Sequence, residues 1–309
     1  MRRYSLELTV ALALGIVFVA LAILAPGFYQ AQPLLSLAAR EAPTLVVVCG
    51  MALVIICRQI DISLGAQFSV CSVCAGLLAS YHWPLAMVVL SSVLLGAFFG
   101  AANGVLVAGL GLPSIVVTPA TMATCRESLR WWREGVWVDL PDHFQRLGLS
   151  QFRGQWMLIL VALAVLVTLA LSLRHLAAGR FIYAVGSDAE AARLAGIRPR
   201  WVTFGVFVAA GALTGLAAMM NVIQSPQVDP NSGTGLELKS IAAVVVGGVA
   251  ISGGRGNLWG AFAGFLLLAC IGPALTHLHV APYWDKAIQG GVILLAVIVD
   301  GWRRRGRAR

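Results

Sequence analysis

Apolar residues along this chain fall into long blocks, and polar residues gather into short passages between them. The first block is Leu8–Ala25, which from Ala11 to Ala25 holds no polar side chain. A helix needs about 20 apolar residues to cross a bilayer, so the block predicts a membrane span. It is too long for a signal-peptide core and has no small-residue cleavage site with a soluble domain behind it, so it is expected to stay as the first span. Pro26-Gly27 ends it, and Gln30–Glu41 predicts a loop. Ala42–Cys57, Ile62–Ser80, Leu85–Leu112 and Trp156–Leu173 predict further spans, with Arg58-Gln59-Ile60-Asp61 breaking the first two apart. The Ser, Gly and Cys content of Ile62–Ser80 suits close helix packing rather than lipid contact. Pro113–Cys125 carries Pro113 and Pro119 among apolar residues and threonines, and predicts a short, broken or tilted span. Val202–Gln224, Leu236–Ile251, Leu258–His277 and Ala287–Val299 complete the series, separated by short Gly/Pro/Asn-rich turns. The pattern predicts an all-α polytopic integral membrane protein.

The longest charged passage between apolar runs is Ala178–Arg200, and it spells out a short helix. Ser187 reads as its N-cap, with Glu190 three residues later completing a capping box. Asp188 and Glu190 place negative charge in the first turn, where the helix dipole favours it. Ala189, Ala191, Ala192, Leu194 and Ala195 favour helix, and Gly196 followed by Pro199 stops it. Two turns span about 12 Å, too little to cross a bilayer. Arg174, Arg180, Arg193, Arg198 and Arg200 surround the passage, which by the positive-inside tendency is cytoplasmic. Two readings fit: a rigid helix that docks into a groove on a partner, and an arginine-rich loop that only fixes topology.

The N-terminal Arg2 and Arg3, this loop and the tail at 302–309 all favour the cytoplasm. Four spans after the loop satisfy that requirement, and six before it do so only if Pro113–Cys125 crosses. The expectation is about ten spans, or about eight if two short runs are re-entrant, with both termini cytoplasmic. Arg126–Gly154 then lies outside despite its arginines. Residues 1–309 form one transmembrane domain, with 178–200 a loop within it.

Composition adds exclusions. Of 309 residues, 59% are hydrophobic and 11% charged, where globular chains average about 25% charged. The net charge of +9 sits beside spans, so it reads as topology rather than nucleic-acid binding. Cys49, Cys57, Cys71, Cys74, Cys125 and Cys270 fall in or beside apolar runs and read as small buried hydrophobes; Cys71-x-x-Cys74 reads as packing rather than a redox or metal site. His277-x-His279 reads as an interfacial pair, and no metal or cofactor site is expected. There is no HExxH, no G-x-S-x-G and no nucleophile–base pattern; neither Lys239 nor Lys286 follows a glycine, so a phosphate-cradling GxxxxGK[ST] loop is impossible. The chain does not hydrolyse ATP by that route.

Ionisable groups near a membrane are functional candidates by default. Asp61, with Ser63 and Gly65, sits at the start of a span, where a carboxylate caps a helix or binds a substrate. Asn103, Thr118, Asn221 and Gln224 are polar positions in or near spans, read as hydrogen-bonding glue between helices. Glu237 and Lys239 flank a span start and could pair. Several buried acids, which an ion-driven carrier needs as coordinating or relay groups, are missing. Gly247-Gly248 and Gly253-Gly254-x-Gly256 suit close backbone approach and a tight turn. Arg58–Gly65 and Ile251–Gly256 echo each other as tight turns between paired spans, a hint of an internal repeat.

Four stretches together resemble the permease subunits of bacterial sugar ABC importers of the ribose/rhamnose/autoinducer-2 type. They are Ile60-Asp61-Ile62-Ser63-Leu64-Gly65; Leu112-Pro113-Ser114-Ile115-Val116-Val117-Thr118; Gly179-Arg180-Phe181-Ile182-Tyr183-Ala184-Val185-Gly186 with Ala191-Ala192-Arg193-Leu194-Ala195-Gly196-Ile197; and Glu237 through Gly248 with Ser252-Gly253-Gly254-Arg255-Gly256. The resemblance implies a dimeric pore for a monosaccharide in the bacterial inner membrane, a pair of cytoplasmic ATPase subunits and an extracytoplasmic sugar-binding protein. It implies that Ser187–Gly196 is the coupling helix seated in the ATPase. The chain departs from the family at Arg58-Gln59, where two glycines are usual, at Ser114 and Thr118-Pro119-Ala120, and at Arg126-Glu127-Ser128. An ion-coupled carrier or channel working alone is the alternative; an intramembrane enzyme lacks a catalytic constellation.

Overall fold

The computed structural model describes residues 30–141, 144 and 147–277, and beyond these only 15, 281, 284, 286–288, 290, 291 and 294. The predicted first span Leu8–Ala25, most of Ala287–Val299, His279 and the tail at 302–309 lie outside the described residues. Helix α1 (Ala31–Ile56) is the centre of the molecule: from Leu45 to Cys57 every residue is buried. A helix apolar on all sides belongs in an interior, because every face loses water on burial. The predicted loop Gln30–Glu41 is instead the first turns of α1. Leu34, Leu35, Leu37, Ala38 and Ala39 favour helix, and Glu41 is neutralised by Lys239 Nζ at 2.7 Å.

Around α1 stand α2 (Leu64–Ser80), α3 (Leu85–Gly104, extended by a π-helical turn Val105–Gly109), α4 (Ser114–Arg133) and α5 (Gln151–His175). The rest are α6 (Ala177–Ser187), α7 (Ala189–Leu194), α8 (Pro199–Gln224), α9 (Leu236–Val246) and α10 (Leu258–His277). Three expectations change. Pro113–Cys125 is not a broken span: Pro113 is the N-cap of α4, where its missing N–H is no loss, and the helix passes Pro119 and runs on to Arg133. The passage Ala178–Arg200 holds α6, α7 and the start of α8 rather than one helix in a loop. The Leu236–Ile251 span shortens to α9, whose 11 residues measure about 16 Å, because Gly248 turns left-handed at φ +90°.

Five described helices are long and apolar enough to cross a membrane: α1, α3 with its π turn, α5, α8 and 258–276 of α10. Strands β1 (Val138–Asp139) and β2 (Gln227–Val228) pair antiparallel, which brings the segment after α4 and the segment after α8 to the same end of the molecule. This is an all-α polytopic membrane protein.

The tightest seam joins α3 to α8. Ser92, Gly96, Gly100 and Gly104 recur every fourth residue of α3, so they form one stripe along it. A Cβ at Gly96 would strike the carbonyl of Gly211, one at Gly100 the carbonyl of Phe207, and one at Gly215 the carbonyl of Ser92. Ser92 Oγ donates to Gly215 O at 2.8 Å across the seam. Where lipid replaces water there is no hydrophobic gain from joining two helices, so such backbone contact is what dispersion and hydrogen bonding act through. Gly247, Gly260 and Gly264 repeat the device between α9 and α10.

Gly100→Leu is expected to destabilise the protein by about 3 kcal/mol or more, as overpacking that neither backbone can relieve. Gly205→Ala, on α8 with open space around the added methyl, is expected to leave stability within about 0.5 kcal/mol or raise it. Thermal unfolding of the two variants in detergent checks the contrast.

Candidate functional site

The turn between α1 and α2 is the hub of a buried polar junction. Asp61 Oδ1 accepts the Ser63 N–H at 2.9 Å and the Ser63 hydroxyl as well. Asp61 therefore closes the turn leading into α2, while the N-cap position itself belongs to Ser63. Ser63 Oγ accepts from Gln67 Nε2 at 2.7 Å and from Asn103 Nδ2 at 2.8 Å, and Asn103 Oδ1 accepts from Thr121 Oγ1 at 2.7 Å. On α4, Thr118 Oγ1 accepts the Ile62 N–H at 3.0 Å and Ser114 Oγ accepts the Ile60 N–H at 3.3 Å. Asp61, Ser63, Gln67, Asn103 and Thr118 are all fully buried. Polar groups removed from water are costly unless paired, so these bonds fix the rotation of α4 against the α1–α2 turn.

Beside this junction, Gly65 meets Gly233 and Glu237 so closely that a Cβ would overlap both. Glu237 and Lys239 do not pair with each other, contrary to the reading from sequence. Successive residues of this kind, two apart on a helix, point to different faces. Glu237 Oε1 takes Arg126 Nη2 of α4 at 3.4 Å and Lys239 takes Glu41 of α1, so the two pairs tie α9 to two different neighbours. The sequence reasoning passed over Ser114, Thr121 and Gln67. Their signal was helical spacing: Gln67 lies four after Ser63, and Ser114, Thr118 and Thr121 share one stripe. Asn221 is elsewhere, 14 positions beyond Phe207 on α8, or about 21 Å along it. Gln224 lies at the end of α8, half-buried. The cysteines are free, and all but Cys74 are buried.

The second site is the projection α6–α7. The end of α6 is pressed against α1 and the turn after α9. Gly186 has no room for a Cβ beside the Ile56 carbonyl, Gly254 N–H donates to that same carbonyl at 2.8 Å, and the Tyr183 hydroxyl donates to Gly256 O at 2.8 Å. Gly253, Gly254 and Gly256 hold φ of +79°, +68° and +122°, the left-handed region that glycine enters without steric cost. Gly253 also lies against Arg58, so the two echoing turns touch. Arg58 itself, one of the departures from the resembled pattern, has φ +63°.

The N-cap of α7 is Asp188, not Ser187. Ser187 is still helical as the last residue of α6, whereas Asp188 is extended (φ −158°, ψ 108°), and its Oδ1 accepts the N–H groups of Glu190 and Ala191 at 2.9 and 3.0 Å. That shifts the frame by one residue, so Glu190 turns to Arg193 instead of closing a capping box. Arg193 holds the Glu190 carboxyl below its ordinary value. The pair therefore persists above the ordinary carboxylate range and dissolves only as pH falls through that lowered value. Gly196, φ +83°, ends the unit. Ala192, grouped by sequence with the docking residues, is buried in the chain's own core. Asp188, Glu190, Ala191, Arg193 and Gly196 face outward, and Leu194 is 76% exposed.

The described residues form a helical membrane protein with a short, capped helical projection. The sequence pattern of the family described as "Branched-chain amino acid transport system / permease component" matches residues 34–297, and the chain belongs to that family. It is 34% identical over 304 residues to the "Autoinducer 2 import system permease protein LsrC" of Klebsiella pneumoniae, covering 98% of this chain and 88% of the relative. The proteins of the same name from Salmonella typhi and Escherichia coli are each 32% identical, covering 96% of this chain and 85% and 86% of the relatives. No solved structure matches. The motif resemblance thus holds over nearly the whole chain, which is a multi-pass permease of the bacterial inner membrane.

Asp61→Ala removes the acceptor for two Ser63 donors in a dry site and is expected to lower stability by about 1–3 kcal/mol, with Asp61→Asn, which keeps an acceptor oxygen, close to wild type. Arg58→Gly relieves a left-handed residue and is expected to raise stability by about 1 kcal/mol. Thermal unfolding in detergent reads both.

Proposed function

We propose that this chain is the transmembrane subunit of an ATP-binding-cassette importer, forming the path for a small polar substrate handed over by an extracytoplasmic binding protein. The observation that carries the reading is α7: a capped helix, held at its root by backbone contacts to α1, that turns its own Ala192 inward and leaves Leu194 outward. An exposed leucine flanked by Arg193 and Glu190 is an apolar anchor with a polar rim, the chemistry of a helix laid in a groove. The groove belongs to a cytoplasmic ATPase subunit, present as a pair, and the pore is completed by a second permease copy or a related permease. Of the residues assigned to coupling from sequence, Ser187, Asp188, Glu190, Ala191, Arg193, Leu194 and Gly196 are exposed and Ala192 is a root contact.

In this reading residues 1–309 form one domain of about ten spans, with cytoplasmic termini and with α6–α7 on the cytoplasmic side. The chain performs no catalysis and needs no cofactor; ATP hydrolysis belongs to the partner. The substrate is a monosaccharide or a similar small polyhydroxylated molecule. The named relatives import autoinducer 2, which stands beside rhamnose and ribose as a candidate.

The test is purification of the tagged chain from membranes, with mass spectrometry of what accompanies it. An ATPase subunit is expected with the native chain, lost when Asp188–Gly196 is replaced by a Gly/Ser linker. Leu194→Glu is expected to lower substrate uptake about tenfold or more, as loss of a central apolar anchor, with the protein still in the membrane at its usual level. If no ATPase accompanies the native chain even after cross-linking, and uptake follows an ion gradient, the chain is a carrier working alone.

A further inference from the structure

The protons of the buried junction can be counted. The Ser63 hydroxyl gives its proton to Asp61 Oδ1, and both lone pairs of its oxygen are taken, by Gln67 Nε2 at 2.7 Å and Asn103 Nδ2 at 2.8 Å. That fixes the Gln67 amide: reversed, it would set its carbonyl against a hydroxyl oxygen with no proton left to give. Asn103 is fixed as well, because its Oδ1 accepts from Thr121. In this cluster two buried acceptors have no donor among the described residues, Asp61 Oδ2 and Gln67 Oε1. Both belong to side chains with no exposed surface, joined through Ser63.

An ionised Asp61 would carry its charge here without a cation. None of the ion pairs among the described residues includes it. Arg58 of its own turn is exposed and lies against Gly253, and Arg126 of α4 is engaged by Glu237 of α9. The titratable groups of α2 are thiols, α3 brings the neutral Asn103, and the Cys125 thiol of α4 lies within electrostatic reach. A buried carboxylate without a counter-charge takes up a proton rather than bear the full cost of desolvation. The Ser63 N–H and hydroxyl on Oδ1 pull the other way, since they favour the charged form. Burial outweighs them and pushes the carboxyl of Asp61, in the turn outside both helices, up to about 6.

We infer that Asp61 is a proton switch that sets how firmly α4 is seated on the α1–α2 turn. With the proton on Oδ2 the junction is neutral and gains a donor, while Oδ1 still accepts from Ser63 as a carbonyl. Without it, a charge with one bare oxygen sits between the Ile60 and Ile62 N–H groups that Ser114 and Thr118 of α4 hold. Those two bonds attach α4 to the turn, so the charge acts at the seat of that helix. The inference goes beyond the importer reading and does not rest on it.

The test is unfolding of the full-length chain in detergent between about pH 4 and pH 8, wild type against Asp61→Asn, an uncharged mimic of the acid. A carboxyl whose value is raised in the folded protein adds stability that is present below the ordinary value and lost as pH rises through the raised one. Wild type is therefore expected to lose stability relative to Asp61→Asn as pH rises from about 4 to about 7 and to stay level above that. A rise from 3.8 to about 6 corresponds to about a hundredfold in the folding equilibrium. Asp61→Ser, also uncharged, is the second reference where Asp61→Asn fails to accumulate, because the slope with pH is read and not the absolute stability. Infrared difference spectra of the same samples read the proton directly: wild type is expected to lose a carboxylic-acid C=O band, shifted in D2O, over that range, and the variants to lack it. Parallel stability curves overturn the inference, as does the absence of that band. So does a wild type that gains on the variant as pH rises, the mark of an Asp61 held ionised.

Discussion

Direct backbone contact between α3 and α8 is the interaction on which the rest of the bundle depends. A membrane interior gives two helices no hydrophobic reason to join, so their attraction must come from atoms brought close enough for dispersion and polar contact. Four small residues on α3 and Gly211 and Gly215 on α8 allow that approach, and Ser92 adds a hydrogen bond to a carbonyl that is already satisfied within its helix. Once α8 is fixed against α3, it also walls in α1, whose buried run from Leu45 to Cys57 tolerates no water on any side.

On that frame the polar residues divide into two kinds. Those inside bond to one another or to nearby backbone: Asp61, Ser63, Gln67, Asn103 and Thr118 hold the α1–α2 turn to α3 and α4. The ion pairs Arg126–Glu237 and Lys239–Glu41 hold α9 to α4 and α1. A buried charge left without its partner is strongly destabilising, so these contacts define one arrangement more than they strengthen it. Charged residues on the outside, Glu127 and Arg130 of α4 and Glu190 and Arg193 of α7, pair within their own helix. The division separates similar-looking serines, threonines and acids that hold helices together from those that face outward.

The α6–α7 projection shows how a motion imposed from outside would reach the bundle. Gly186 and Gly254 both abut the last carbonyl of α1, and Arg58 stands against Gly253, so the base of the projection has no slack. Packed backbone has few soft degrees of freedom, so displacement of α7 passes to the end of α1 and to the turn that aims α4. Arg58, in a left-handed conformation, places a large side chain at this joint.

Much of this was legible in the residues themselves. The apolar blocks give the spans of α3, α5, α8 and α10 because exclusion from water depends on composition alone, and the small residues of α2 mark it as packed. The polar positions Asp61, Ser63, Asn103 and Thr118 stand out for the same reason, since any such group in an apolar run needs a partner. Local energetics also announces a short helix near residue 190, though not which of two adjacent residues caps it: Ser187 and Asp188 are both good caps, and only the end of α6 against α1 decides between them. Pairing is a matter of distance across the fold, so sequence adjacency misassigned Glu237 to Lys239 when Arg126 and Glu41 stood nearer in space. The start of α1 and the continuation of α4 past Pro119 were likewise settled by neighbours, through Lys239 and Ile62. Above all, the sequence by itself determined that the stretch Pro113–Cys125 mixes threonines with apolar residues, without saying which stripe meets a neighbour. Only the tertiary structure decided which stripe is buried, because the hydrogen bonds to Ile60 and Ile62 exist only once α1 and α2 have been brought around to meet it.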